Sequence, residues 1–551
     1  MQSSPLLKMR KMQRLKGRIL NQRNESNTPL LENNNIQDAY DQEVSRYINP
    51  LDQNILNIRT EQCLQPEEVS LQKLAELLEV APGAISTTYQ DGCCSSMRPG
   101  HQNLRGYVCV METFVSQRFQ ELPTDPAQDL NRDLKKMQDT VLRGIMKLGP
   151  RLEPLGLVGC LIGCYHRHTV DHLHKLLQNI NSSKNIFLLM KWSQQQYLSQ
   201  ELLGHPYLQK MEPIQKVDLV LLTEWVEKAK DKLMKNVKNE VRDSLENILQ
   251  NERTHDRCDS DEAYVRLYVD AIQCIDAFPK EAQKVSSKLS DYVQEVCFQE
   301  LLVFVRSYTS EQTRILQGKA KMDEPQTIHF FKTLKTCREL KRHVQTKGSG
   351  TSLCGECVTV LENMEDFTMK LLLDMLADIT ETHFKKFFPS DNRWLLFGAV
   401  EKHFPKLCYG VDEQMRVMDE AYKVIVCIYI QHLIKTKRSK LEKCWGPNVG
   451  KTITEDAEEL HKFISGLAPG IQKWSLLSIR ELLDCRCPEA QKVIAVDVRT
   501  LCLTLSEDVD LLPALLRWKG LSKWEVMEML DIVAHHSSSR SGSWYLCLIC
   551  C

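Results

Sequence analysis

Residues 217–249 read VDLVLLTEWVEKAKDKLMKNVKNEVRDSLENIL, and their spacing decides the fold class. Apolar residues recur at Val217, Leu221, Trp225, Ala229, Leu233, Val237, Val241, Leu245 and Leu249. A step of four suits a helix; a strand alternates its faces at every second residue. Four residues overshoot a 3.6-residue turn by about 40°. The stripe therefore winds around the helix and predicts contact with more than one neighbour. The pattern returns at Leu289, Tyr292, Val293, Val296, Leu301 and Phe304, and at Leu372, Met375, Leu376, Ile379 and Phe387. It appears again at Ala421, Val424, Ile425, Ile428 and Leu433. Gly (23) and Pro (20) are scarce in 551 residues, against a usual share of about 12% for the pair. A chain poor in helix breakers leans the same way. The expected class is all-α.

The helices are punctuated at Gly204-His205-Pro206, Lys347-Gly348-Ser349-Gly350, Phe388-Pro389-Ser390 and Gly446-Pro447. No convincing strand lies between these breaks, and no solenoid-type repeat is present. The chain divides into a basic amphipathic tail and linker (1–35), a divergent N-terminal helical region (36–124), and middle helical bundles (125–347). C-terminal helical bundles (352–536) and a flexible Cys-containing tail (537–551) follow. Within the second region a helix is expected over 67–79, and a loop over 82–106.

Charge is nearly balanced, with Lys plus Arg at 71 and Asp plus Glu at 72. That gives no case for nucleic acid as a partner of the whole molecule. No signal peptide is visible, so the 21 cysteines read as reduced thiols acting as small apolar residues. No apolar run reaches the roughly 18 residues of a membrane span. The longest candidate, Val424 to Ile434, contains Gln431 and His432 and reads as a buried helix.

Three motifs bear on chemistry. Gly446-Pro-Asn-Val-Gly450-Lys451-Thr452 resembles a phosphate-binding loop. It has three residues between its glycines where the loop needs four, and a helix end rather than a strand before it. Cys160, Cys164, His168 and His172 stand four apart on one helix, flanked by His166 and His174. One straight helix cannot surround a tetrahedral zinc ion with four ligands. Cys354-Gly-Glu-Cys357 is a lone CxxC with no second pair at zinc spacing. A nucleotide- or metal-dependent enzyme is therefore the less favoured class. The chain reads as a non-enzyme, with no catalytic residues, cofactor or metal assigned.

The two ends say more. Lys8, Arg10, Lys11, Arg14, Lys16, Arg18 and Arg23 precede the first acid, Glu25. Met9, Met12, Leu15 and Ile19 fall on one side of a helical wheel and Arg10, Lys11, Arg14 and Arg18 on the other, with Lys8 and Lys16 at the border. This is the pattern of a helix lying on anionic phospholipid, with a calmodulin-binding segment or a mitochondrial presequence as rivals. At the other end, Cys547, Cys550 and Cys551 lie among Trp544, Tyr545, Leu546, Leu548 and Ile549. They are candidates for palmitoylation or double-cysteine prenylation. Leu548, four residues from the end, stands where a farnesyl box needs Cys.

Several stretches resemble a known family when taken in order. They are Tyr165-His-Arg-His-Thr-Val-Asp-His-Leu173, Asn185-Ile-Phe-Leu-Leu-Met-Lys-Trp192 with Tyr197, and Phe304-Val-Arg-Ser-Tyr308. Trp394, Val400 and Phe404-Pro-Lys-Leu407 precede Gln431-His-Leu-Ile-Lys435, and Leu521-Ser-x-x-Glu525-Val526 leads to Leu530-Asp531. Residues 125 to about 534 are similar to the exocyst complex component 3 family, with its "like" paralogues and tumour necrosis factor alpha-induced protein 2. The resemblance implies an elongated rod of stacked helical bundles. It implies a tether or scaffold in exocytosis, cytoplasmic and peripheral at the plasma membrane. The implied partners are exocyst subunits, plasma-membrane SNAREs and Ral-type small GTPases. A helical adaptor that remodels membrane protrusions outside the complex is the alternative role.

Overall fold

The computed structural model describes residues 99–120, 129–199, 201–254, 261–322, 327–348, 352–387, 393–407, 410–505 and 511–537. Among them the chain forms 17 α-helices and no strand. The expected helix over 67–79 lies outside the described residues.

The first group of helices is α1 (Pro99–Gln120), α2 (Leu130–Leu152), α3 (Val158–Asn179) and α4 (Ser183–Lys191). A six-residue π-helical turn, Trp192–Tyr197, continues from α4. The middle group comprises α5 (Leu219–Thr254), α6 (Asp261–Gln283), α7 (Ser287–Ala320) and α8 (Ile328–Lys347). Next come α9 (Ser352–Phe387), α10 (Arg393–His403), α11 (Val411–Lys435), α12 (Arg438–Trp445) and α13 (Val449–Leu467). The described chain ends with α14 (Leu477–Asp484), α15 (Pro488–Leu505), α16 (Leu512–Lys519) and α17 (Lys523–Ser537). Residues 99–106, expected in a loop, are instead the first two turns of α1. Proline at a first helical position starts a helix rather than breaking one.

Each helix is held by its apolar stripe. In α5, Leu222, Trp225, Ala229, Leu233, Val237, Val241, Leu245 and Leu249 are buried. Val217 precedes the helix and Leu221 is half-buried, so the buried stripe begins one turn later than its spacing suggests. The winding has the expected consequence: α5 packs against α3, α4, α6 and α7. Tyr292 departs from its expected core position. It is 43% exposed, and Lys230 Nζ lies 5.4 Å from its ring centroid. Helix starts are fixed locally where Asp129, Ser182 and Ser286 accept from the amides of Arg132, Asn185 and Leu289. Such caps satisfy donors that the helix itself leaves unpaired. Neighbours in sequence are largely neighbours in space. α8 and α9 pack against each other across the break at 348–351, and α9 and α11 pack as the next pair.

Close packing of α2 on α3 depends on a missing side chain. A Cβ on Gly144 would fall 1.9 Å from the hydroxyl oxygen of Tyr165 and 2.4 Å from its Cζ. Tyr165 is buried and has no room to retreat. Alanine would gain up to about 1 kcal/mol of helix propensity, whereas forcing the ring aside costs roughly 1–3 kcal/mol. Gly144→Ala should therefore lower the denaturation midpoint. In a double-mutant cycle with Tyr165→Leu the loss should be less than additive, because the clashing ring is gone.

Candidate functional site

The cysteine and histidine positions of α3 are absorbed into packing. Cys164 is buried, and burial pushes its thiol up to about 12. His168 and His172 lie against Phe119 of α1, at ring-centroid distances of 5.8 Å and 6.0 Å. Burial holds both imidazoles below their ordinary value, and His172 falls to about 4. His166 has the firmest placement. Its Nε2 lies 2.7 Å from the Asp218 carbonyl, so that nitrogen carries the proton and donates. Nδ1 then accepts from the Tyr197 hydroxyl at 2.8 Å. The π-helical turn delivers Tyr197 to this position, with its ring tilted against Trp192 at a centroid distance of 5.5 Å. A neutral histidine thus ties α3 to the turn after α4 and to the start of α5. Among the described residues no group of three or more His, Cys, Asp or Glu is gathered as a metal would need.

The other two motifs are also structural. Cys354 and Cys357 are buried thiols in the first turns of α9, and burial raises Cys357 to about 12. Gly348 lets the chain pass the Cys354 sulfur, which a Cβ would approach to 2.1 Å. In the glycine-rich stretch, Gly446 ends α12 at φ +80°. Gly450 lies inside α13, where a Cβ would stand 3.0 Å from Arg480 Cγ and 3.1 Å from Asp484 Oδ1. A carboxylate borders the position where a phosphate would sit, and Lys451 pairs with Glu455 at 3.4 Å. Gly450 permits close packing of α13 on α14.

What the sequence reading missed is a series of acids buried between helices. Glu300 of α7 accepts from Arg242 of α5 through two bonds of 2.8 Å and 3.0 Å. Glu413 of α11 meets Arg338 and Lys335 of α8, at 3.1 Å and 3.6 Å. Glu365 of α9 lies 3.2 Å from Lys341 of α8 and 3.0 Å from Arg416 of α11. Lys332 of α8 pairs with Glu252 of α5. The readable signal is an acid on an apolar stripe, as in Cys297-x-x-Glu300-Leu301-x-x-Phe304. A cleft of about 190 Å³ between α6, α7 and α8 is lined in part by Asp276, Lys280 and His343. Asp276 pairs with Lys280 at 3.0 Å and His343 at 3.2 Å. The cations expected to meet anionic phospholipid, Lys8, Arg10, Lys11, Arg14, Lys16, Arg18 and Arg23, lie outside the described residues, as do Cys547, Cys550 and Cys551. No helix among the described residues is long and apolar enough to cross a membrane.

No family model matches the chain. No curated protein matches it either. Among solved structures the chain is similar to M-Sec, known from its crystal structure. The two share 18% identity over 80% of each chain, with a TM-score of 0.62. A circular tandem repeat protein with novel repeat topology and enhanced subunit contact surfaces also matches, at 14% identity over 85% of this chain and 97% of that one. Its TM-score of 0.14 is too low to carry an argument. The likeness to M-Sec is one of fold. It agrees with the all-α class read from the sequence.

Proposed function

We propose that this protein is an exocyst-subunit-like tether or scaffold of membrane traffic, working through contacts rather than catalysis. The observation that carries the reading is the all-helical fold shared with M-Sec over 80% of both chains. The order of the family-like stretches along the sequence supports it. So does the chemistry of the polar groups: the thiols, imidazoles and acids singled out above join one helix to the next. The finer reading places the protein in the cytoplasm and at the inner face of the plasma membrane. There it engages exocyst subunits, SNAREs and Ral-type GTPases. Its N-terminal cations bind anionic phospholipid, and acylation of Cys547, Cys550 or Cys551 strengthens the attachment.

Affinity capture of the full chain from cells, with mass spectrometry, tests the partners. Recovery of vesicle-tethering or fusion proteins is expected, and a catch devoid of them would remove the finer reading. The lipid contact has its own measurement. The tail carries seven cations before its first acid, each contributing up to about 1 kcal/mol near an anionic leaflet. Charge reversal by Arg14→Glu with Arg18→Glu is expected to cut vesicle flotation at low salt at least tenfold. Asn33→Gln in the linker should leave it unchanged. Equal flotation of the charge-reversed and unaltered proteins would show that the tail is not the contact.

A further inference from the structure

Two basic segments far apart in sequence meet at the C-terminal end of the described chain. Residues 435–440, where α11 ends and α12 begins, supply Lys435, Lys437, Arg438 and Lys440. Residues 517–523, where α16 ends and α17 begins, supply Arg517, Lys519 and Lys523. The Trp518 indole N–H donates to the Thr436 carbonyl at 2.7 Å, and Arg438 donates to the Lys519 carbonyl at 3.5 Å. Lys519 in turn donates to the Cys485 carbonyl at 2.6 Å, which brings exposed Arg486 alongside. Of the acids nearby, Glu442 pairs with Arg438 at 3.0 Å, Asp484 with Arg480 at 3.5 Å and Glu528 with Lys492 at 3.4 Å, while Glu525 accepts from the Ser522 amide at 2.7 Å.

Beside these cations stands an apolar pair. Trp524 is 73% exposed and Met527 is 57% exposed. They are three residues apart on α17, one turn of the helix. Val526, Met529 and Val533 are buried and hold the opposite face of that helix to the core. Tryptophan has an apolar ring with one polar N–H, the combination that settles at the headgroup level of a bilayer. Lysine and arginine beside it add attraction to an anionic leaflet.

We infer that the surface formed by residues 435–440, 517–523, Trp524 and Met527 is a second membrane contact, which docks on an anionic bilayer with Trp524 and Met527 inserted. This site does not depend on the N-terminal tail or on any protein partner. It can stand if the partner capture described above fails, and it can fail while that capture succeeds.

The test uses the full chain carrying Arg14→Glu and Arg18→Glu, so that the tail is weakened as a contact. The probe is phosphatidylcholine vesicles with and without a minor fraction of phosphatidylserine. The tail-reversed protein should sediment with the anionic vesicles only. Adding Lys437→Glu, Lys440→Glu and Lys523→Glu should lower partitioning about 100-fold. Three exposed lysines elsewhere, changed as Lys235→Glu, Lys288→Glu and Lys370→Glu, should lower it far less. Trp524→Ala should cost about tenfold. Brominated lipid should quench fluorescence in the tail-reversed protein but not in its Trp524→Phe variant. Failure to bind anionic vesicles, or equal losses in the two lysine triples, would overturn the inference. So would patch-dependent capture on polyglutamate resin without vesicle binding, which would make the occupant an acidic polypeptide.

Discussion

Removing both cations from Glu365, by Lys341→Met with Arg416→Met, is expected to destabilise the protein by about 3–5 kcal/mol. The Glu365 side chain is 3% exposed and lies between three helices, whereas Lys341 and Arg416 reach toward solvent, at 20% and 45% exposure. The asymmetry decides the outcome. Without its partners the carboxylate stays buried and uncompensated, because α8, α9 and α11 close around it. The lost cations were half hydrated, so their own removal costs little. The companion variant adds Glu365→Met to the same two changes. It should recover most of the stability, since an apolar trio of similar volume needs no pairing. Chemical denaturation followed by circular dichroism measures both. A double variant as stable as the unaltered protein would show that water reaches Glu365. A triple variant no better than the double would place the loss in packing rather than in charge.

The same cluster shows where a linear reading stops. The stripe from Trp225 to Leu249 was legible because burial on one helix face imposes a period, and a period survives in sequence. Which helices α5 touches was not legible beyond their being more than one. The partner of Glu365 across α11 is Arg416, 51 residues away, and no spacing rule links them. Trp518 and Thr436 are 82 residues apart, so the basic surface exists only after folding. The motifs failed for a related reason. Gly450 and Gly348 look like loop glycines, yet each is small because a neighbouring side chain, Asp484 or Cys354, occupies the space. Cys160, Cys164, His168 and His172 share a spacing of four because that is the spacing of a packed helix face, which a ligand set on one helix would also show. In α1, glycines stand at 100 and 106, within the expected loop over 82–106. Pro99 at the first position, with Tyr107, Val110, Met111 and Phe114 buried beyond it, outweighs their low propensity.

Acid should loosen the helices around α3 before the carboxylates titrate, and His172 should account for much of the effect. Its imidazole is 4% exposed, with Phe119 edge-on at 6.0 Å. Burial chiefly, and then the Lys175 ammonium, lower its folded value from 6.5 to about 4. The unfolded chain therefore binds a proton at this position that the folded chain refuses between those two values. Stability rises with pH wherever the unfolded state holds more protons. His172 thus destabilises the fold progressively as pH falls from about 6.5 to about 4, and its effect is complete below that. Two to three units correspond to roughly 3 kcal/mol. His166 and His168, also lowered by burial, act in the same direction. Glu381 is lowered by its bond to His432, so its stabilising share disappears only in more acid solution, below about pH 4.5. His172→Phe should separate these contributions. The ring can occupy the same apolar site without a proton to refuse, so the stability slope between pH 6.5 and 5 should flatten relative to the unaltered protein. Urea midpoints measured across that interval provide the readout. Parallel slopes for the two proteins would mean that His172 is protonated in the folded state, or reaches water when charged.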